Sequence, residues 1–291
     1  MEYHNDRFVD ASLLVFKEGK LVAAIPANRE GDVVHSHQGL TYGGFITNEA
    51  LKLKDAMEVF QSVLKHFENN GISSFNLKLI PSIYTTVPSE ELLYFLSLLQ
   101  ARLTRRDVLS VIDYSVFPKV VSNNRKRGLK RAKSKGLIVK EETLFDGFWD
   151  TVLTPNLKGK YGKAPVHSLE EIKKLRDSFP KQIRQFNVYY EDAIVAGTTI
   201  FETETVAHAQ YISATENKQE LGSLDILFHH LINEVYKDKN YFDFGVSNEN
   251  QGKNINEGLL YWKESFGART IIQDFYSLET HNHYLLDQVL Q

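Results

Sequence analysis

The segment Val15-Phe16-Lys17-Glu18-Gly19-Lys20-Leu21-Val22-Ala23-Ala24 returns 173 residues later as Val188-Tyr189-Tyr190-Glu191-Asp192-Ala193-Ile194-Val195-Ala196-Gly197. Each copy has two apolar runs around a short polar turn, the pattern of a β-hairpin. At the same offset His35 falls on His208 and Leu51 on Leu224. A single offset held across three landmarks predicts an internal duplication, one α/β unit built twice. A chain of 291 residues has room for two such units.

The coarse pattern agrees. Residues 12–16 and 21–27 read as the first hairpin and 33–46 as further strand broken by glycines. Leu53, Ala56, Met57, Phe60, Val63, Leu64 and Phe67 recur at helical spacing, and Gly71 sits where a left-handed cap belongs. A strand at 75–79, a helix from Ser89 and a strand at 108–114 follow. The second half repeats much of this order: hairpin 186–201, strand 206–213, helix 224–237, strand 241–245, helix 256–265 and strand 269–276. The expected fold class is therefore α/β (α+β), with mixed central sheets flanked by helices. The expected division is a first half over 1–117 and a second over 118–291, with a basic junction helix at 122–136.

Composition narrows the function. A net charge of −3 offers no global attraction to nucleic acid or to an anionic membrane, so any anion site must be local. The absence of cysteine removes disulfides, thiolate metal sites and cysteine nucleophiles together. No signal-like apolar run opens the chain and no stretch is long and apolar enough to span a bilayer, so a cytoplasmic location without a membrane span is expected. No Gly-x-Ser-x-Gly elbow supports serine catalysis.

Several segments carry possible chemistry. His35-Ser36-His37-Gln38-Gly39-Leu40-Thr41-Tyr42-Gly43-Gly44-Phe45 is glycine-rich enough to let a backbone approach a ligand, which makes His35, His37, Tyr42, Gly43 and Gly44 candidate substrate contacts. His35 and His37, read on one strand face, lack a third ligand at metal spacing, and no metal is expected. His208, Gln210 and Tyr211 are candidates to line a cleft on the second sheet. Asp243 ends a strand among aromatic residues, where a carboxylate can take a proton or orient an amine. The loop after it, with Asn248, Glu249 and Asn254, is rich in groups that could read a polar acceptor. Between the halves, Asn123 to Gly136 holds seven Lys or Arg and no acid.

Two resemblances give these segments a frame. Gln219-Glu220-Leu221-Gly222-Ser223-Leu224, between a strand and an amphipathic helix, resembles the coenzyme A pyrophosphate loop of GNAT acyltransferases at Gln219 and Gly222, and departs from it at Leu224. It implies Gln219, Gly222 and Ser223 as cofactor-binding residues, through N–H groups at a helix start. Tyr241-Phe242-Asp243-Phe244-Gly245, Asn248-Glu249, Gly252 and Tyr261-Trp262-Lys263-Glu264-Ser265-Phe266-Gly267-Ala268-Arg269 resemble the C-terminal part of the FemAB family, a group of two-GNAT-fold peptidoglycan aminoacyltransferases with acyltransferase relatives. The basic segment from Arg125 to Lys135 also resembles that family's basic helix. The resemblance implies tandem GNAT-like domains, and it places Lys263 at the reacting centre with Trp262 beside it. It further implies that the chain opens after a helix that relatives carry, since Tyr3-His4-Asn5-Asp6-Arg7-Phe8 stands at its start.

The expected function is an N-acyltransferase that moves an acyl group onto a small-molecule or glycan amine, such as an amino sugar or cell-envelope precursor. Asp243, Glu249 or His208 would deprotonate the amine, and Lys263 would stabilise the oxyanion. No tightly bound cofactor is expected; the co-substrate is acyl-CoA or a similar carrier, or else aminoacyl-tRNA in a Fem-type reaction, with Arg125 and its basic neighbours on the phosphates. The other class of reading is a non-catalytic nucleotide- or RNA-binding module that uses the basic segment alone.

Overall fold

The structure, a computed structural model, describes residues 6–116 and 122–289, without the side chains of Lys160 and Tyr161. Tyr3, His4 and Asn5 lie outside the described residues. The chain forms two compact units, one of residues 1–107, 250–253 and 272–291, the other of residues 108–249 and 254–271.

In the first unit the strands Val9–Asp10, Asn28–Glu30, Val33–His35 and Ser74–Lys78 lie side by side in that order, with Arg269–Glu279 next to the last. Val33–His35 and Ser74–Lys78 are parallel, and the helix Leu53–Asn69 makes the crossover between them. That helix buries Ala56, Met57, Phe60, Val63, Leu64 and Phe67 on Val34, Phe75 and Leu77, the face expected from its spacing. Leu53, read as part of the stripe, is exposed. Gly71 has φ +72°, the left-handed conformation that ends the helix. The expected long strand over 33–46 ends at His35; residues 36–45 are a loop, and Ile46–Thr47 joins a separate small sheet with the hairpin Leu13–Lys17 and Lys20–Ile25.

In the second unit the order is Arg102–Asp113 (through its residues 108–113), Tyr241–Val246, Val206–Ala214, Ala193–Glu202, Ile183–Tyr190 and Ile138–Glu142. Val206–Ala214 and Tyr241–Val246 are parallel, and the helix Ser223–His230, continued by a π-type turn over Leu231–Val235, connects them. This helix and the basic helix Asn123–Ser134 cover one sheet face, around Phe186, Val188, Ala207, Phe228, Phe242 and Phe244. The other face is covered by Phe145, Phe148, Trp149, Val152, Leu153 and Ile172. These come from helical turns over 146–161 and from helix Leu169–Ser178, elements the sequence reading did not include. Ser168 and Glu171 form a capping box at the start of the latter.

The repeat reaches into fine detail. Both hairpins carry their register slip at the same place, between Val15 and Phe16 and between Val188 and Tyr189, and both close on equivalent pairs, Lys17 with Lys20 and Tyr190 with Ala193. Val33, Val34 and His35 pair in parallel with Ser74, Phe75 and Asn76, as Val206, Ala207 and His208 pair with Tyr241, Phe242 and Asp243. The first hairpin departs from its copy by standing in its own three-stranded sheet.

Candidate active site

In the second unit the parallel pair is short. Its registered pairs end at His208 opposite Asp243, beyond which the two strands separate. Such a parting at the carboxyl ends of parallel strands is where α/β sheets receive ligands. Ala207 and Ala209 point into the helix-covered core, so His208 faces the other way. On the neighbouring strand Phe242 and Phe244 do the same and turn Asp243 to the face of His208.

The two side chains are bonded. His208 Nδ1 and Asp243 Oδ2 lie 2.9 Å apart, both residues buried. An ionised carboxylate only accepts, so the imidazole donates through Nδ1 and its basic nitrogen is Nε2. The second carboxylate oxygen, Oδ1, accepts the Gly245 N–H at 2.7 Å. This tight turn needs Gly245 at φ +73°, and a Cβ there would press on His208 Cε1 at 3.3 Å. That is a physical reason for aspartate, aromatic and glycine in sequence.

Lys263 completes the chain of contacts. Its Nζ donates to the Gly245 carbonyl at 2.9 Å and to that of Val246 at 2.5 Å. The residue is 2% exposed. Burial pulls its pKa down to about 8, against the opposing pull of the Asp243 charge. Helix Glu257–Glu264 holds it there because Trp262 and Phe266 pack against Phe228 and Phe244, with ring centroids 5.2–5.8 Å apart. Trp262 is thus a core anchor beside the lysine. Asn256 caps this helix, its side chain accepting the Leu259 N–H.

The remaining candidates fall in several places. A bulge in the pairing puts Tyr211 opposite Thr199 and Ala209 opposite Ile200, so Gln210 is the extra residue and Tyr211 takes the face of His208. Tyr211 is buried, its hydroxyl 2.6 Å from His167 Nδ1 and accepting the His167 N–H. His167 escaped the sequence reading because only the fold brings it to this strand. Asn248 accepts the Val108 N–H through its side chain, while Glu249 is exposed and accepts from Asn256 Nδ2 in the small ladder with Asn254 and Ile255.

In the first unit His35 ends its strand, its Nε2 3.6 Å from Glu30, and burial lowers its pKa. His37 is buried in the following loop at φ +52°, its Nδ1 accepting the Gly39 N–H. The two histidines therefore do not share a strand face, contrary to the reading that paired them. Among the described residues no group of three or more His, Asp or Glu is placed to hold a metal. Tyr42 packs on Tyr84 at 4.3 Å. Gly43 permits a close approach, but to the chain itself, since a Cβ would collide with the Ser36 carbonyl oxygen. Gly44 has φ +100°.

The loop with Gln219, Gly222 and Ser223 is drawn tight. Leu221 and Gly222 spend their N–H groups on the Asn217 and Lys218 carbonyls. Gly222 lies against the Gly128 carbonyl, and a Cβ on Gly128 would overlap the Asp225 carboxylate. Arg125 Nη1 meets Asp225 Oδ1 at 2.5 Å, both side chains largely buried. Burial raises the Asp225 pKa despite this partner. Gln219 is exposed; Ser223 is fully buried, and its Oγ has no hydrogen-bond partner among the described residues. The loop thus packs its glycine against the basic helix, and does not offer the N–H groups of Leu221 and Gly222 to a pyrophosphate.

The two-unit α/β fold is FemX-like, as the sequence resemblance implied. Solved structures with this fold include FemX, at TM-score 0.67 and 8% identity over 100% of this chain and 92% of that one. A conserved protein of unknown function from Bacteroides thetaiotaomicron matches at 0.63 and 11%, over 95% and 88%. L-PGS from Bacillus licheniformis matches at 0.62 and 13%, over 96% and 89%. Identities this low speak for the fold alone. No protein-family model and no curated protein matches the sequence. Among the described residues no helix is long and apolar enough to cross a membrane.

Proposed function

We propose that the protein is an N-acyltransferase whose chemistry lies in the second unit. The observation that carries this reading is the bonded run His208–Asp243–Gly245–Lys263 at the parting of the parallel strands. In the proposed reaction His208 Nε2 takes a proton from the attacking amine, and Asp243 holds the ring and stabilises the imidazolium. The amine nitrogen bonds to the donor carbonyl carbon, and the carbonyl oxygen becomes an oxyanion. Lys263 spends two of its three N–H groups on backbone carbonyls and can direct the third at that oxyanion. The tetrahedral centre then collapses, the bond to the leaving group breaks, and the proton on His208 passes to the departing sulfur or oxygen.

Two donors suit this chemistry. Acyl-CoA or another phosphopantetheine carrier would have to hold its phosphates through groups other than Leu221 and Gly222, whose N–H groups are engaged. Aminoacyl-tRNA is favoured by the basic helix, where Lys126, Arg127, Lys130, Arg131 and Lys133 are exposed. The acceptor is an amine, with an amino sugar or cell-envelope precursor as the proposed class. The test is single-turnover transfer to a panel of amines, including glucosamine, from acetyl-CoA and separately from charged tRNA, with wild type and Lys263→Ala. Transfer that depends on Lys263 supports the reading and names the donor. Binding of RNA with steep salt dependence and no transfer from either donor would replace it with the non-catalytic alternative.

A further inference from the structure

The first unit repeats the parallel strand pair, and at the end of that pair it also holds a half-buried lysine. Lys78 closes strand Ser74–Lys78, two residues beyond Asn76, the register partner of His35. The loop 36–44 is stitched over it. The Ser36 N–H donates to the Asn76 carbonyl at 2.8 Å, the Lys78 N–H to Ser36 Oγ at 2.7 Å and the Gly43 N–H to the Lys78 carbonyl at 3.3 Å. The Lys78 ammonium donates to the Leu40 carbonyl at 2.5 Å. Among the described residues that is its one hydrogen-bond acceptor, and no carboxylate lies within ion-pair distance of Nζ.

The nearby charge is unbalanced. Lys78 pairs in register with Phe275, whose ring carries the Arg105 guanidinium; that neighbouring charge disfavours the charged form of Lys78, and burial does so more strongly, pulling the pKa down to about 8. Asp107, the carboxylate that opposes them, is gripped at both oxygens by Arg105, at 2.8 and 2.6 Å. Arg105 is further fixed by Phe275, whose ring centroid lies 4.5 Å from its guanidinium carbon. Asp274 is taken by both arms of Arg106. Two cations thus share one carboxylate in a partly dry place, an arrangement that costs stability until a negative group enters. Lys78 retains donors for such a group, and Arg105, held rigid through Nε and Nη2, retains Nη1.

We propose that the first unit carries a binding site for an oxyanion, a carboxylate or phosphate group of a small ligand, received by Lys78 and Arg105 beneath the loop 36–44. This site lies in a different unit from the proposed transfer chemistry and does not depend on it. Its test is therefore binding alone. Inorganic pyrophosphate and citrate are titrated separately into the full chain by calorimetry at constant ionic strength, with wild type, Lys78→Met and Arg105→Gln. Saturable binding weakened about tenfold or more by each substitution supports the site, since a hydrogen bond to a charged partner is worth at least that much. Preference for one probe tells phosphate from carboxylate. A second measurement guards against misfolded variants: in wild type labelled at lysine Cε, the Lys78 resonance should titrate at higher pH once the probe is bound. No saturable binding of either probe, affinity unchanged in both variants, or a Lys78 titration unmoved by a bound probe would overturn the proposal.

Discussion

Asp243→Asn changes one oxygen into an amino group at constant volume, and its consequences can be worked from the contacts. The wild-type carboxylate accepts from two donors at once, His208 Nδ1 at 2.9 Å and the Gly245 N–H at 2.7 Å. Asparagine has only one acceptor oxygen. The Gly245 N–H is a fixed backbone donor in a left-handed turn, so the amide oxygen should stay with it and the NH2 should face the imidazole. Nδ1 must then become an acceptor, and the ring proton moves to Nε2, where the base is needed. Exchanging a charge-assisted hydrogen bond for a neutral one should cost the fold about 1–2 kcal/mol. Loss of a positioned general base should cost roughly 10²–10⁴ in turnover, about 3–5 kcal/mol in the barrier. Lys263 should also titrate lower than its wild-type value of about 8, because the Asp243 charge is what opposes its burial. The assays are single-turnover transfer, a thermal melt, and ¹⁵N NMR of the His208 tautomer. A variant that keeps the Nδ1–H tautomer, or that turns over within about threefold of wild type, would refute the assigned role, since the expected loss starts near 10².

Gly128→Ala drives a methyl group into the Asp225 carboxylate and should destabilise by about 1–3 kcal/mol or more, read as a lower thermal midpoint. Asp225→Ala strands the largely buried Arg125 and should cost about 3–5 kcal/mol, while Arg125→Met with Asp225→Leu should restore most of that loss in chemical denaturation. Lys263 binds its proton less tightly folded than unfolded, so between about pH 8 and the ordinary lysine value of 10.5 the unfolded state holds more protons and this group makes stability rise with pH. Denaturation at pH 7.5 and 10 should therefore show a smaller rise in Lys263→Met than in wild type; an equal rise would place the titration elsewhere.

The duplication was legible because a hairpin turn and its bulge leave a mark within ten residues, so one offset carries the strand pairing, the crossover helix and His35 against His208. The family pattern singled out Lys263 and Asp243, and the structure adds Gly245 as the turn that ties them together. Other features depend on contacts distant in sequence. Nothing local to Gly128 indicates that Gly222 and Asp225 will lie against it, and nothing local shows that, of the candidates Gln210 and Tyr211, the bulge leaves Tyr211 on the face of His208. The turns over 146–161 escaped because one of them is π-type and breaks the regular 3.6-residue spacing, although the Ser168 and Glu171 box beyond them was visible in principle.

The same repeat explains how two halves of one design can differ in chemistry. Each presents a histidine at the last registered position of its parallel pair, but the partner is Asp243 in the second unit and Asn76 in the first. A neutral amide cannot stabilise an imidazolium as a carboxylate does, and the histidine of the first unit instead lies near Glu30 on the edge side of its sheet. Two positions beyond, the second unit has Gly245, which turns the strand and offers its carbonyl to Lys263, and the first has Lys78 itself. Both units therefore bring one ammonium with its pKa pulled down to about 8 to the end of the pair, from a helix in one and from the strand in the other. Only the second adds a bonded base to it. Under the proposed function, acyl transfer belongs to the copy with the aspartate. The variant Asn76→Asp should accordingly draw the His35 titration upward by supplying the missing charge, measurable by NMR. An unmoved His35 would show that equivalent register in the two pairs does not place the side chains equivalently.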